Sequence, residues 1–348
     1  MRICTRCVLP ETFPGVRFDE GGICNFCLKC TTEDNVVAKK ARARRKFEQL
    51  VNRIRGEKGY HCLLAYSGGK DSSYTLWLLR EVYKLRVLAV TFDNGFVSPQ
   101  AFTNIRQVVE AVNADHIFIK PRFDLLRRIF SQVAVDNPYP MKALERASSI
   151  CNACMGLVKS ITLRIAIEQH IPIVAYGWSP GQAPIAAAVF RTNAQMIRQM
   201  QDTRMSPLLA IAGDDLAPYL LNESHFSQSN QFPYNVNPLV FHDYEERQVI
   251  EQVKQFGWEP PSDTDGNSTN CLLNIYATRV HLKKYGFHPY AFEVAGLVRC
   301  GAISRKHGLG SLAELGSEET AESVRARLSS NEFLSAPSMP HSENLNLQ

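Results

Sequence analysis

The sequence predicts an α/β fold: a parallel sheet covered on both faces by helices and preceded by a small cysteine-rich unit. Three observations carry this reading. Strand-length apolar runs alternate with helix-length stretches between residues 61 and about 180. The first run ends in a glycine turn, Ser67-Gly68-Gly69, that opens a helical pattern. Two Cys-x2-Cys pairs fall within the first thirty residues, where apolar periodicity is absent. The 348 residues are 45% hydrophobic and 21% charged, enough apolar surface for one main domain with appendages. A net charge of +5 permits phosphate-bearing partners without demanding nucleic acid.

Taken in order, residues 1–32 read as a zinc ribbon and 33–60 as a basic linker helix. Lys39, Lys40, Arg42, Arg44, Arg45 and Lys46 form its charged face, and Leu50, Val51 and Ile54 recur at helical spacing. Residues 61–215 form the α/β domain. Strands are expected at His61–Tyr66, Arg86–Phe92, His116–Lys120 and Ile171–Tyr176. Helices are expected over 71–84, over 99–113, from Asp124, and as a long one opened by Cys151-Asn152-Ala153-Cys154. Such spacing implies right-handed crossovers between parallel strands. Residues 216–328 read as a mostly helical acceptor-side region, with loops at 222–237 and 260–270 and a helix over 243–256. The tail, 329–348, is rich in Ser, Asn and Pro and reads as disordered.

The loop Ser67-Gly68-Gly69-Lys70-Asp71-Ser72 has the parts of an anion cradle. Glycines permit close backbone approach, and the following helix offers free N–H groups and its dipole. Lys70 adds a charge, Ser67 and Ser72 add hydroxyls, and Asp71 is a candidate magnesium ligand. It is not a Walker loop, which needs Gly-x4-Gly-Lys-Ser/Thr, nor a dinucleotide fingerprint, which needs a third glycine. The plainer alternative is a tight turn with an ordinary N-cap. The hexapeptide resembles the signature of the PP-loop ATP pyrophosphatases, the adenine nucleotide alpha-hydrolase-like enzymes. That resemblance implies a doubly wound parallel sheet, ATP with Mg2+, release of pyrophosphate, and an adenylated acceptor. It also places the second strand's end, with Phe92 and Asp93, beside the adenosine, although strand-end turns favour Asp in any case. Gly177, after the fourth strand, is carried over as a close-approach position near ATP.

Cys4, Cys7, Cys24 and Cys27 have zinc-ribbon spacing, and four protein ligands make a closed, structural Zn2+ site. Buried free thiols are the alternative, and Cys30 is a spare thiol or a substitute for Cys27. The surrounding segment, from Cys4-Thr5-Arg6-Cys7 to Cys24-Asn25-Phe26-Cys27, resembles the start of the N-acetyl sugar amidotransferases. Those are PP-loop proteins of surface-polysaccharide pathways, and the resemblance implies ammonia from a glutaminase partner.

Cys151 and Cys154, with distant Cys271, offer three corners for a 4Fe-4S cluster and leave one iron open. A redox pair, a second zinc site or inert thiols are the alternatives. Cys151 to Gln169 resembles the matching segment of tRNA 2-thiouridine synthetases that use such a cluster. Those relatives carry Gly-His-Asn and acidic residues after the fourth strand. Here Gly177-Trp178-Ser179-Pro180 stands instead, which disfavours tRNA as acceptor.

The leading expectation is therefore an enzyme that adenylates an acceptor and replaces oxygen by sulfur, with Lys70, Asp71, Cys151, Cys154 and Cys271 carrying the chemistry. Amidation of a nucleotide-linked N-acetyl sugar is the second expectation, and a non-enzymatic nucleotide-binding adaptor the third. A small-molecule or nucleotide-sugar acceptor, a sulfur donor or glutaminase partner, and a homodimer complete the set. Cys62 reads as core, Cys300 has no partner by spacing, and His281, His288 and His307 read as surface or structural. Arg299, Arg305 and Lys306 form either a solvated face or a site for an anion. No apolar run approaches the roughly 20 residues that span a bilayer, and the N-terminus lacks a signal layout, so the expected location is the cytoplasm without membrane attachment.

Overall fold

The structure is a computed structural model that describes residues 1–29, 33–227 and 232–329. Cys30 and the tail from residue 330 onward lie outside the described residues.

Among the described residues, six strands form one sheet in the order β3-β2-β1-β4-β6-β5. They are β1 (Cys62–Ala65), β2 (Val87–Phe92), β3 (Asp115–Ile119), β4 (Ile173–Tyr176), β5 (Val189–Arg191) and β6 (Tyr234–Val236). All neighbouring pairs are parallel except β5 with β6. The chain winds outward from β1 to β3, then returns to β4 on the other side of β1. Cys62 lies opposite Val87 on one side and Ile173 on the other. The sheet is thus doubly wound, and the direction of winding reverses between β1 and β4. In such sheets the crevice at the strands' carboxyl ends, where winding reverses, is where ligands collect.

β1, β2 and β4 are buried on both faces because helices cover both, which explains their continuous apolar runs. Side chains alternate along β1: Cys62 and Leu64 join one core cluster and Leu63 the other. The expected linker helix, Glu33–Ile54, contributes Phe47, Leu50, Val51 and Ile54 to the first cluster, so it also covers the sheet. The helix Ser149–Glu168 is long and apolar enough to cross a bilayer by composition, contrary to the expectation of no such run. It is a core helix, with 61% of its apolar window buried. Residues 222–237 were expected to be loop, yet they include the helix Glu223–Ser227 and β6. β6 is only three residues long, and pairing with β4 rather than local periodicity creates it. The sheet thus takes a strand from beyond residue 216.

The cysteine-rich unit does not stand apart. Phe13 and the four cysteines pack with Phe287, Ala291, Val294 and Ala295 in one apolar cluster. Arg305 reinforces the contact by donating to the carbonyls of Cys4 and Cys7 at 2.8–3.2 Å. The ribbon and the segment from Phe287 to Arg305 therefore form one body.

Candidate active site

The glycine loop leaves β1 at the reversal point. Gly68 has φ +76°, and a Cβ there would lie 2.5 Å from Ile105 and 2.9 Å from the Ala101 carbonyl. Both backbone conformation and the helix Pro99–Ala111 therefore require glycine at this position. Trp258, wholly buried, donates its indole N–H to the Gly68 carbonyl at 3.0 Å and fixes the turn. Gly69 is the N-cap of the helix Lys70–Trp77. Ser72 Oγ donates to the Gly69 carbonyl at 3.0 Å and lies 3.1 Å from Ser67 Oγ.

Gly177, at the end of β4, is required by close packing. A Cβ there would sit 2.7 Å from Ser72 Cα and 2.8 Å from Ser72 N, so the close approach is to the loop's own helix. Gly177 holds β4 against the helix start at the reversal point and also lines the cavity there.

That cavity, about 290 Å³, brings together Ser67, Gly69, Lys70, Asp71 and Ser72 with Phe92, Cys151, Cys154 and Cys271. Asp93 is not among its walls. It accepts from the Gly95 amide at 2.8 Å and pairs with Lys120 at 2.9 Å, closing the turn after β2. Its neighbour Asn94 reaches the cavity instead. Gly68, too, shapes the loop from behind and is not a wall.

Lys70 and Asp71 are held by residues that sequence reasoning missed. Lys70 Nζ lies 3.3 Å from Asp71 and 3.2 Å from Glu246, and Tyr244 donates to Asp71 at 2.8 Å. Burial alone would lower the Lys70 ammonium, but the two carboxylates outweigh it and hold its pKa above the ordinary value. The cation thus stays charged although it is buried. The segment Ser268–Cys271 folds over the loop: Lys70 N donates to Thr269 Oγ1 at 3.3 Å, and Val97 bridges to Cys271.

Asn94 Nδ2 donates to Cys271 Sγ at 3.3 Å and to Cys154 Sγ at 3.7 Å, so those sulfurs can be no further apart than the sum of these distances. Cys151 Sγ contacts Asn274 Oδ1 at 3.6 Å, and Tyr290 donates to that same oxygen at 3.1 Å. Three thiols from two distant segments therefore face one cavity, with amide donors beside two of them. Burial raises all three, Cys151 to about 12, which keeps them neutral until a cation compensates a thiolate. Three sulfur donors at the edge of an open cavity fit an iron–sulfur cluster with one iron accessible. Lys159, from the same helix, stands 4.2 Å over the Trp178 ring and lines the cavity; burial lowers its pKa to about 7.

Away from the cavity, the sulfurs of Cys4, Cys7, Cys24 and Cys27 lie within 4.8 Å of one another. Cys4 to Cys27 is 3.9 Å and Cys7 to Cys24 is 3.7 Å. Tetrahedral zinc with 2.3 Å bonds requires edges of about 3.8 Å. Amides of Cys7 and Cys24 donate to Cys4 Sγ, and Arg299 approaches Cys7 Sγ at 3.9 Å. The quartet fits a closed structural metal site. Cys62 is buried core, as expected. His281 and His288 are buried, and His307 pairs with Glu246 at 3.2 Å.

Fold and site together define a doubly wound α/β protein with a glycine-loop cavity walled by cysteines and a separate four-cysteine ribbon. No family model matches the chain. It is similar to an uncharacterized protein of Methanocaldococcus jannaschii, 25% identical over 282 residues, covering 81% of this chain and 83% of that protein. Among solved structures it is similar to the U34-tRNA thiolase NcsA from Methanococcus maripaludis with its 4Fe-4S cluster, at 17% identity, TM-score 0.35 and 87% coverage of each chain. It is also similar to NMN synthetase from Francisella tularensis, at 14% identity and TM-score 0.36, covering 80% of this chain and 97% of that one.

Proposed function

We propose that this chain is a PP-loop ATP pyrophosphatase that adenylates an acceptor and exchanges its oxygen for sulfur. One observation carries the reading: the glycine loop and the three cysteines, which run from Ser67 to Cys271 in sequence, share one cavity.

In this reading the loop amides and the charged Lys70 hold the β- and γ-phosphates of ATP, the pyrophosphate that departs. Asp71, freed from Tyr244, holds Mg2+ against them. The acceptor oxygen attacks the α-phosphorus, the bond to the β-phosphate oxygen breaks, and pyrophosphate leaves with its electron pair. The acceptor now carries AMP as a good leaving group. Cys151, Cys154 and Cys271 would hold a cluster that supplies sulfide as nucleophile, and the carbon–oxygen bond to AMP would break as the carbon–sulfur bond forms. Asn94 and Asn274 orient the thiols, and the 268–271 segment excludes water from the adenylate.

Amidation is the second reading. Lys159, with its pKa near 7 inside the cavity, is suited to hold ammonia's proton, and its placement is the observation in favour. Anaerobically purified protein separates the two. Sulfur transfer requires iron bound per chain and its loss in Cys154→Ala. A colourless protein holding only zinc leaves amidation. In both cases ATP with acceptor yields AMP and pyrophosphate. ADP as product contradicts the PP-loop reading, as does full turnover in Asp71→Ala.

A further inference from the structure

A second concavity, about 1310 Å³, lies between the ribbon, the helix Glu33–Ile54 and the helix Ala291–Arg299. Its cations come from four separate parts of the chain: Arg6 from the ribbon, Lys40, Arg44 and Arg45 from the first long helix, Arg146, and Arg299. Among the described residues of its wall, the single carboxylate is Asp243. That side chain is 97% exposed and only 3.9 Å from Lys40, so it neutralises little.

These cations are aimed, not scattered. Arg146 and Arg299 stack on the same ring, Phe292, at 4.4 and 5.5 Å. Burial makes the Arg146 charge costlier, and the neighbouring Arg299 adds to that cost, while Glu145 and Glu293 offset part of it. Arg44 Nε is buried without a hydrogen-bond partner. Arg44 Nη2 donates to the Phe241 carbonyl at 3.3 Å, but a buried, unpaired Nε–H is costly unless an acceptor such as an anion completes it.

The groove also adjoins the ATP cavity. Gly181 and Ala183 belong to the groove wall while Gln182 between them lines the cavity, and Arg146 donates to the Gln182 carbonyl at 3.2 Å. Tyr244 faces the groove and bonds Asp71 of the glycine loop. A ligand anchored at the arginines has the strip 181–183 as its route to the reacting phosphorus.

We infer that this groove is the acceptor-anchoring site and that it takes a small molecule carrying a diphosphate, its reactive end directed past Gly181 into the ATP cavity. Guanidinium forks match phosphate oxygens in pairs. The walls between them are apolar and aromatic, with Val36, Phe241 and Phe292, and the cations converge into one hollow. That shape suits a bounded ligand, whereas an RNA duplex is tracked by basic residues spread along an open surface. The acceptor role rests on the adenylation reading above, but occupancy of the groove does not.

The test is calorimetric titration of UDP into the full-length chain saturated with a non-hydrolysable ATP analogue, which blocks the glycine loop. One UDP per chain is expected to bind. Arg146→Ala and Arg45→Ala should each weaken it by about tenfold or more, Arg325→Ala should not, and Arg146→Lys should restore part of the loss. Arg45 is exposed on its helix, so its variant guards against misfolding at Arg146. No UDP binding, or binding indifferent to both arginines, overturns the inference. So does a transfer RNA that binds through these arginines while UDP fails to compete. If the ATP analogue fails to bind but UDP still depends on Arg146 and Arg45, the adenylation reading falls and the groove stands.

Discussion

At the scale of single residues, the cavity is governed by how charges are compensated where water is scarce. Lys70 keeps its charge because Asp71 and Glu246 sit within 3.3 Å of it. Glu293 shows the opposite balance. Burial is the main cause that raises its carboxyl, to about 7, and Asp71 adds to the effect, while Ser179 donates to it at 3.0 Å. A carboxyl raised in the folded state stabilises fully only below its unfolded value, and the contribution disappears as pH rises through 7. Glu293→Gln keeps a hydrogen-bonding side chain without the titration. Thermal unfolding from pH 5 to 8 should therefore show the wild type losing stability relative to Glu293→Gln, by on the order of 3 kcal/mol at most. Parallel curves would show that Glu293 is already ionised at pH 5.

Secondary-structure elements meet most tightly where β4 abuts the glycine-loop helix. The Cβ that Gly177→Ala introduces would face backbone atoms of Asp71 and Ser72 at 2.7–3.0 Å, and backbone cannot rotate away. We expect this variant to lose about 1–3 kcal/mol and to bind ATP analogue more weakly, because the helix N-terminus shifts. Denaturant unfolding and a binding isotherm on the same sample check both effects. Unchanged affinity would mean that the helix start does not contact phosphate. Gly181 is comparably constrained, its added Cβ lying 2.3 Å from the Glu293 carbonyl. The strip joining groove and cavity is thus packed against the C-terminal helices.

At the scale of the whole molecule, the N-terminal ribbon is joined to helices from beyond residue 285. Thr12 donates to the Gly286 carbonyl at 2.8 Å, and the ribbon's apolar face lies on the helix Ala291–Arg299, which carries Arg299 and Glu293. Zinc removal should consequently disturb more than the ribbon. Chelation, or Cys24→Ser, is expected to lower Tm by several degrees and to weaken UDP binding at the groove, with ATP analogue binding the less affected. Metal analysis with two-ligand titration tests this, and an unaltered groove after zinc loss would show the ribbon to be independent.

Local sequence determined the first four strands to within two residues at each end; β1, β2 and β4 are apolar runs buried on both faces, whereas β3, largely exposed at the sheet edge, was legible from its short apolar run alone. It determined the glycine loop because that loop's donors are contiguous, and the ribbon because each Cys-x2-Cys pair is local and the two pairs lie within the first 27 residues. The helix Lys70–Trp77 continues as a five-residue π-helical stretch, Leu78–Val82, within the helix expected over 71–84. For Asp93 the sequence could not separate a turn-closing aspartate from a ligand-binding one; the structure pairs it with Lys120 and the Gly95 amide. β6, Asn94, Tyr244, Glu246 and the six-cation groove were invisible, since each has its role through partners far away in the chain. Cys271 could be grouped with Cys151 and Cys154 by type, but tertiary folding brought them to one cavity. The sequence by itself thus determined the doubly wound sheet and the loop from which an ATP site is inferred. Tertiary structure alone decided what surrounds that loop, because long-range packing places the 268–271 segment, the ribbon and the C-terminal helices against it.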